Sequence, residues 1–109
     1  MDLINKKCIP CEVGGQPLSG GDAQRYLAEL NTGWAVIENK KIKKEFKFKD
    51  FKQAMVFVNR VAEVAEAEGH HPDICVSYST VRIELWTHAV GGLSENDFIV
   101  AAKIDNLFS

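Results

Sequence analysis

Cysteine is scarce in this sequence, and its three copies, Cys8, Cys11 and Cys75, are too few and odd in number for a disulfide framework. Cys8 and Cys11 have the spacing of half a zinc knuckle, but a structural zinc site needs four ligands, usually from a second such pair. The sequence contains no second pair of that spacing. We therefore expect a reduced, partly exposed pair of N-terminal thiols and no structural metal.

Long apolar runs and a strong charge of one sign are also absent. No stretch approaches the ~20 apolar residues of a membrane span, and the N-terminus lacks the apolar core of a signal peptide. The net charge of −2 gives no general attraction to nucleic acid or to an acidic membrane. Seven of the thirteen basic residues lie between Lys40 and Lys52, and we interpret them as solvating a strand edge. The sequence predicts a cytoplasmic protein without a membrane or nucleic-acid partner.

Proline is rare, and two of its three copies fall in residues 1–18. This stretch shows neither a helical nor a strand period, so we expect an irregular N-terminal arm. A chain of 109 residues has the length of one domain. We therefore assign residues 19–109 to a single domain.

Apolar residues recur at helical spacing in three segments, each preceded by a polar capping residue. Ser19 or Asp22 caps the first helix, which extends to about residue 30. The longest helix begins after Asp50 and ends at Gly69, where a left-handed backbone carries no Cβ penalty. The last helix begins after Ser94 and extends to about residue 107.

Two pairs of β-forming segments lie between these helices, and Ser79-Thr80 is the predicted turn of the second pair. Lys44 interrupts one apolar face, so we expect that face to be incomplete. Two hairpins favour an antiparallel sheet, because parallel neighbours need longer crossovers. The sequence predicts an α+β two-layer sandwich with three helices on one face of a four-stranded antiparallel sheet, in the order α-β-β-α-β-β-α. The predicted strands cover residues 34–38, 42–48, 74–78 and 81–88.

The second helix has apolar residues on two flanks, with Met55, Val58 and Val61 on one and Phe57 and Val64 on the other. A four-stranded sheet also has two edges with unpaired backbone groups. So short a chain has little else to cover both features, and we expect a homo-oligomer.

Histidine occurs three times, as the adjacent pair His70 and His71 and as His88. Its unperturbed pKa of roughly 6.5 lets it exchange a proton near neutral pH. A hairpin about Ser79-Thr80 places His88 opposite residues 72–73, beside the other two. Glu66, one helical turn before His70, is positioned to fix the tautomer of that imidazole. The pattern predicts an acid–base site.

Other interpretations of these residues stay open. The His-His-Pro loop is also compatible with an inert exposed loop, and three histidines are compatible with zinc, although adjacent histidines point in different directions. Asp97 follows Ser94 at the spacing of a capping box, which would explain it without catalysis. Trp86 is either a stacking platform or a packed aromatic residue.

Separated blocks of the sequence resemble the signature of the pterin-4a-carbinolamine dehydratases. The resemblance extends from about Leu18 to the C-terminus, and the arm with Cys8-x-x-Cys11 and Pro17 is similar to bacterial members. The blocks match in order and spacing as well as in residue type. They are Glu66-x-x-x-His70-His71-Pro72, Tyr78, Thr87-His88, Gly92-Leu93-Ser94 and Asp97.

The resemblance implies a hydro-lyase that converts 4a-hydroxytetrahydropterin to quinonoid dihydropterin plus water by histidine acid–base catalysis. It implies no metal and no cofactor, a homodimer or homotetramer, and a functional link to an aromatic amino acid hydroxylase whose tetrahydrobiopterin is recycled. The implied catalytic residues are His70, His71 and His88. The implied substrate-binding and supporting residues are Glu66, Pro72, Thr87, Ala89, Val90 and Asp97.

Ile74 departs from the pattern, because many animal members carry tryptophan there, and this change affects one wall of the expected pterin pocket. Some relatives act instead as protein-binding modules, either as a coactivator of a transcription factor or in enzyme assembly. A module of that kind with the same fold is the alternative function.

Overall fold

Three α-helices alternate with two pairs of strands in the computed structural model, which describes residues 2–10 and 14–108. Two short 3-10 helices, Leu3–Asn5 and His88–Val90, complete the secondary structure of these residues. The element order confirms the predicted α-β-β-α-β-β-α sequence. The helices are α1, Gly20–Leu27; α2, Phe51–Glu68; and α3, Glu95–Phe108. The strands are β1, Ala35–Ile37; β2, Lys41–Lys47; β3, Asp73–Ser77; and β4, Thr80–Leu85.

The sheet has the strand order β1-β2-β4-β3, and every neighbouring pair is antiparallel. Because β2 pairs with β4, the two hairpins join at the centre of the sheet, and β1 and β3 form its edges. The three helices lie on one face. The predicted α+β two-layer sandwich is therefore confirmed.

The core lies between the helices and one face of the sheet. Ile42 and Phe46 of β2, and Ile83 and Leu85 of β4, are fully buried, whereas Arg82 points to the opposite, exposed face. This alternation follows from the two-residue period of a strand. The helices complete the core with Ala54, Phe57, Val61, Phe98 and Ile104.

Lys44 interrupts the apolar face of β2 as predicted, and a buried carboxylate on α3 compensates for it. The Nζ atom of Lys44 lies 2.8 Å from Oδ1 of Asp105. The same carboxylate accepts hydrogen bonds from Nε1 of Trp34 at 3.0 Å and from the backbone N–H of Asn31 at 3.1 Å. Asp105 carries no signal in the sequence, because nothing in a helical pattern indicates which buried strand residue faces it.

The predicted caps of α1 and α2 are confirmed. The side chains of Ser19 and Asp50 each accept a hydrogen bond from the backbone N–H three residues on. Gly69 ends α2 with a left-handed φ of 67°. α1 ends at Leu27, earlier than expected, because the next residues form the tighter bonds of a 3-10 turn, such as that from the Leu30 N–H to the Leu27 carbonyl.

Strand ends fall within one residue of the predicted ones except at the end of β4. The second hairpin turns at Tyr78 and Ser79, since Ser77 pairs with Thr80, so the predicted turn was wrong by one residue. Tyr78 takes a left-handed φ of 52° in that turn. The shift also changes which residues face each other across the hairpin near the histidines.

β4 ends at Leu85 and not at His88 as predicted. The backbone of Thr87 pairs instead with Gly92, which closes a small loop. The 3-10 helix His88–Val90 lies inside this loop. His88 therefore lies at the start of a helical turn and not at the end of a strand.

The two apolar flanks predicted for α2 are only partly free. Phe57 and Val61 are buried in the core of the same chain, so the prediction that both flanks need a partner subunit was wrong for them. Phe57 contacts the rings of Phe46, Phe48 and Phe108. Phe51 and Val56 of α2 are exposed.

The described part of the N-terminal arm is docked on the domain. Its 3-10 helix, Leu3–Asn5, packs against α3, and the Leu3 side chain is buried in the core. The Lys6 ammonium lies 2.9 Å from Glu95. The described part of the arm thus forms part of the packed molecule.

Candidate active site

The end of α2 and the loop after β4 meet at one cavity. Its volume is about 630 Å³, and its wall consists of residues 8–10, 68–73 and 86–89 together with Asn96. All three histidines, His70, His71 and His88, belong to this wall. The predicted convergence of the histidines is therefore present, although the turn and strand end on which it was argued are different.

His70 is fixed by a buried carboxylate. Its Nε2 atom lies 2.6 Å from Oδ1 of Asp97, which is 0% exposed. Oδ2 of Asp97 accepts hydrogen bonds from the Thr87 hydroxyl and from the Ser94 backbone N–H, both at 2.9 Å. An ionised carboxylate only accepts, so Nε2 of His70 is the donor in this contact.

Asp97 takes part both in the cap of α3 and in a contact with His70. Its bond from the Ser94 N–H is one half of a capping box at the start of α3. Its other oxygen reaches His70. The Ser94 and Thr87 hydroxyls lie 2.7 Å apart and extend the network. Within the described residues, no buried side-chain polar atom lacks a hydrogen-bond partner.

Glu66 does not contact His70 as predicted. Its Oε2 lies 2.5 Å from Nε2 of His71, and both side chains are exposed, at 78% and 59%. The helical spacing rule fails here because the left-handed Gly69 takes the chain out of the helix before His70. An ion pair so exposed contributes little free energy. Glu66 lies outside the cavity wall.

His88 is supported by an aromatic ring. Its imidazole lies 3.8 Å from the Trp86 ring, centroid to centroid, at an interplanar angle of 40°. Trp86 is half-buried and His88 is exposed. Trp86 therefore packs against a histidine and also presents part of its surface to the cavity, which combines the two alternatives considered for it.

Several other expected residues can be placed. Pro72, Thr87 and Ala89 belong to the cavity wall, whereas Val90 does not. Tyr78 lies at the hairpin turn, at the other end of β3 and β4 from the histidines, and is exposed. The signature thus contains positions outside the cavity.

Sequence reasoning missed the contribution of the N-terminal arm to the site. Cys8, Ile9 and Pro10 form one part of the wall, and Glu68 and Asn96 hold them. The Cys8-x-x-Cys11 spacing marks the arm as a segment of interest. The spacing of two cysteines does not show which part of the domain the arm contacts. Cys11 itself lies outside the described residues.

The surroundings of the Cys8 thiol disfavour its thiolate form. The thiol is half-buried, and burial, together with the nearby Glu68 carboxylate, raises its pKa to about 12. Glu68 in turn receives a hydrogen bond from Lys103 at 2.6 Å, which lowers the pKa of the Glu68 carboxyl. At neutral pH the pair is thus a neutral thiol beside a carboxylate, which suits a structural contact better than nucleophilic chemistry.

Across residues 2–10 and 14–108, no three histidine, cysteine, aspartate or glutamate side chains converge as ligands for a metal ion. No helix in this part of the chain is long and apolar enough to cross a membrane.

The chain is thus a small α+β sandwich with a cavity bordered by three histidines. The family model described as pterin 4 alpha carbinolamine dehydratase matches residues 16–107. A relative from Alkaliphilus metalliredigens is 48% identical over 104 residues, covering 95% of this chain and 94% of the relative. One from Nitrosomonas europaea is 51% identical over 107 residues, covering 98% and 94%. Both are named as candidate pterin-4-alpha-carbinolamine dehydratases.

Two solved structures have a similar fold. A protein from Brucella melitensis described as a transcriptional coactivator/pterin dehydratase has a TM-score of 0.81 and 32% identity, covering 86% of this chain and all of its own. A pterin dehydratase-like protein described as a RuBisCO assembly factor of the alpha-carboxysome has a TM-score of 0.61 and 25% identity, covering 71% and 90%. The chain belongs to the pterin 4 alpha carbinolamine dehydratase family.

Proposed function

We propose that this protein is a hydro-lyase that converts the 4a-carbinolamine of a tetrahydropterin to quinonoid dihydropterin and water. The observation that carries the proposal is the buried Asp97 carboxylate 2.6 Å from His70, in a cavity that His71 and His88 also border. A cavity of about 630 Å³ has the size of a small-molecule site.

The reaction needs one proton donor and one acceptor. The bond from C4a to its hydroxyl oxygen breaks, and that oxygen leaves as water after it takes a proton. The ring nitrogen next to C4a loses its proton, and the electron pair forms the new carbon–nitrogen double bond. Two imidazoles in opposite protonation states meet these needs without a metal ion or a cofactor.

We assign the two proton transfers to His70 and His88. His70 has a fixed orientation through Asp97, and the His88 ring is held against Trp86. His71 lies at the exposed rim with Glu66, which suits binding and orientation of the pterin. Pro72, Thr87 and Ala89 border the same space.

The test follows the decay of the carbinolamine by absorbance, with and without the protein and in the presence of a chelator. We expect acceleration that the chelator does not change. His70→Ala and His88→Ala should each lower turnover by roughly 10²–10⁴-fold, the usual contribution of a proton-transfer group. Full activity in both variants would exclude these roles, and a folded wild-type protein without effect on the decay would exclude the dehydratase.

The cellular setting follows from the proposed reaction. We place the protein in the cytoplasm as a homodimer or homotetramer, where it supports the recycling of tetrahydrobiopterin used by an aromatic amino acid hydroxylase. The exposed Phe51 and Val56 and the two open sheet edges support self-association.

A protein-binding role is the second candidate, favoured by one observation. The two structural neighbours are described as a transcriptional coactivator/pterin dehydratase and as a RuBisCO assembly factor. The complete set of three histidines at one cavity supports the enzyme instead. The same absorbance assay separates the two roles, because a module that only binds protein leaves the decay unchanged.

A further inference from the structure

The N-terminal segment 6–10, here called the strap, contributes to the wall of the histidine cavity. The family model begins only at residue 16, so the strap lies outside the part of the chain that it matches. Residues 8–10 nevertheless border the same cavity as His70 and His88. The strap is therefore a part of the site that the acid–base mechanism does not use.

Three hydrogen bonds fix the backbone of the strap, and one side-chain contact adds to them. The Cys8 N–H donates to Oε1 of Glu68 at 2.8 Å. The Asn96 side chain holds both backbone groups of Ile9: its Oδ1 accepts from the Ile9 N–H at 3.0 Å, and its Nδ2 donates to the Ile9 carbonyl at 2.6 Å. The Lys6 ammonium contacts Glu95 at 2.9 Å.

The residues that hold the strap lie within two positions of site residues in the chain. Asn96 precedes Asp97, which fixes His70, and Glu68 lies two residues before His70. Beyond the strap, the Gly14 N–H donates at 3.0 Å to the carbonyl of Ala89, which belongs to the helical turn of His88. Hydrogen bonds thus link the strap and the residues after it to the elements that carry the histidines.

The side chain of Ile9, whose backbone these bonds fix, is apolar and exposed to solvent. Ile9 is 70% exposed although its backbone N–H and C=O are both bound by the buried Asn96. A large apolar side chain that is exposed, on a residue that borders a cavity and has a fixed backbone, is suited to contact a ligand with an apolar surface. A pterin ring has two such faces.

We propose that Ile9 is a substrate-binding residue that contacts the pterin, and that Asn96 is the residue that positions it. This inference rests on the proposed function and deepens it. Ile9 has no titratable group, so its contact contributes to binding in the ground state and the transition state alike. Its loss should therefore raise KM and leave kcat unchanged.

The first test compares Ile9→Ala with Ile4→Ala. Ile4 is a matched control, because it belongs to the same arm, is 47% exposed, and lies outside the wall of the histidine cavity. We expect Ile9→Ala to raise KM for the carbinolamine by roughly threefold to tenfold, the effect of losing three apolar carbons at a half-open site. Ile4→Ala should match the wild type.

A second readout does not depend on turnover. Binding of 7,8-dihydrobiopterin, followed by quenching of tryptophan fluorescence from Trp86 in the wall, should weaken by the same factor in Ile9→Ala. Both substitutions are at exposed side chains, so folding should be retained, and thermal unfolding checks it.

Asn96 is tested through a double-mutant cycle. Asn96→Ala should raise KM as Ile9→Ala does, and the double variant should show no further rise, since Asn96 acts through Ile9. Additive rises would assign Asn96 a separate role and contradict its part of the proposal.

The outcomes separate this proposal from the proposed function. Wild-type turnover with an unchanged KM and an unchanged affinity for dihydrobiopterin in Ile9→Ala would overturn the assignment of Ile9 alone. A wild-type protein that neither accelerates the decay nor binds dihydrobiopterin would overturn both. A fall in kcat without a rise in KM would show that Ile9 does not act by binding.

Discussion

At the scale of single residues, the two histidine–carboxylate pairs differ mainly in burial. His70 faces Asp97, which is inaccessible to solvent and accepts two further hydrogen bonds. His71 faces Glu66 in a pair exposed on both sides. The family resemblance assigns a supporting role to both acids, yet only the buried one has the surroundings to fix an imidazole.

This difference predicts unequal effects of two isosteric changes. In Asp97→Asn the amide oxygen is required by the Ser94 N–H, so the amide NH2 faces Nε2 of His70 and favours the wrong tautomer, and we expect kcat to fall by roughly 10²–10⁴-fold. Glu66→Gln alters an exposed pair, and kcat should stay within about threefold of the wild type. Steady-state kinetics of the two variants checks this.

Retained thermal stability in both variants is the control for that comparison. A larger loss of kcat in Glu66→Gln than in Asp97→Asn would contradict the view that the buried carboxylate is the one that supports catalysis.

At the scale of secondary-structure elements, a buried ion pair joins β2 to α3. Lys44 and Asp105 are nearly inaccessible, and the carboxylate also binds the indole of Trp34. The removal of one partner leaves the other charge buried without compensation, which destabilises proteins by about 3–5 kcal/mol. The neighbouring Lys43 points to the opposite face of the sheet and is the matched control.

We therefore expect Asp105→Ala to lower the free energy of unfolding by about 3–5 kcal/mol, and Lys43→Met to change it by less than about 0.5 kcal/mol. Urea unfolding followed by circular dichroism measures both values. Equal and small effects of the two substitutions would show that the Lys44–Asp105 pair does not stabilise the contact between β2 and α3.

The connection between α2 and α3 should depend on pH. The hydrogen bond from Lys103 lowers the pKa of Glu68 below its ordinary value of 4.5. A group with a lowered pKa in the folded state stabilises the fold fully above its unfolded value, and this contribution disappears as the pH falls through the lowered pKa. The wild type should therefore exceed Glu68→Gln in stability at pH 7, by a margin that shrinks below pH 4.5.

Urea unfolding of both proteins between pH 3 and pH 7 tests this prediction. Other carboxylates with lowered pKa values, such as Glu84 and Glu95, are common to both proteins and cancel in the difference. A margin that stays constant across this range would contradict the assignment to Glu68.

Elements whose signals are local could be predicted from the sequence. Ser19, Asp50 and Gly69 mark helix ends through bonds to their own neighbours, and the strands follow from alternation. Features set by distant partners could not be predicted. The early end of β4 depends on the pairing of Thr87 with Gly92, and the docking of the arm depends on a side chain in α3.

The same distinction applies to the site. The convergence of the three histidines could be predicted, because the hairpin brings the end of β4 near the start of β3, although the loop closed by Thr87 and Gly92 sets the final position of His88. The partners of His70 and His71 could not, since Gly69 redirects the chain and exchanges the expected contacts. Asn96 had no signal as a site residue, because it resembles any polar residue of a first helical turn.

At the scale of the whole molecule, the sheet has two open edges, β1 and β3. Phe51 and Val56 expose apolar surface on α2. The burial of Phe57 and Val61 within the chain removes part of the surface on which self-association was first argued. The edges and the remaining exposed apolar surface still favour an oligomer.

We expect light scattering at micromolar concentration to give a mass above the 12.1 kDa of the chain, corresponding to a dimer or a tetramer. Dilution should show whether the assembly is reversible. A mass of 12.1 kDa at these concentrations would mean that the strand edges and the exposed part of α2 remain in solvent.

The strap also has a consequence for the order in which the protein is made. Cys8 and Ile9 leave the ribosome early, but the Asn96 side chain that holds Ile9 is separated from it by 87 positions. Contacts of such high sequence separation close late in folding, because a long loop must be ordered before they form. During synthesis the strap therefore stays undocked until α3 has been made. The cavity gains this part of its wall only after α3 has packed on the rest of the domain.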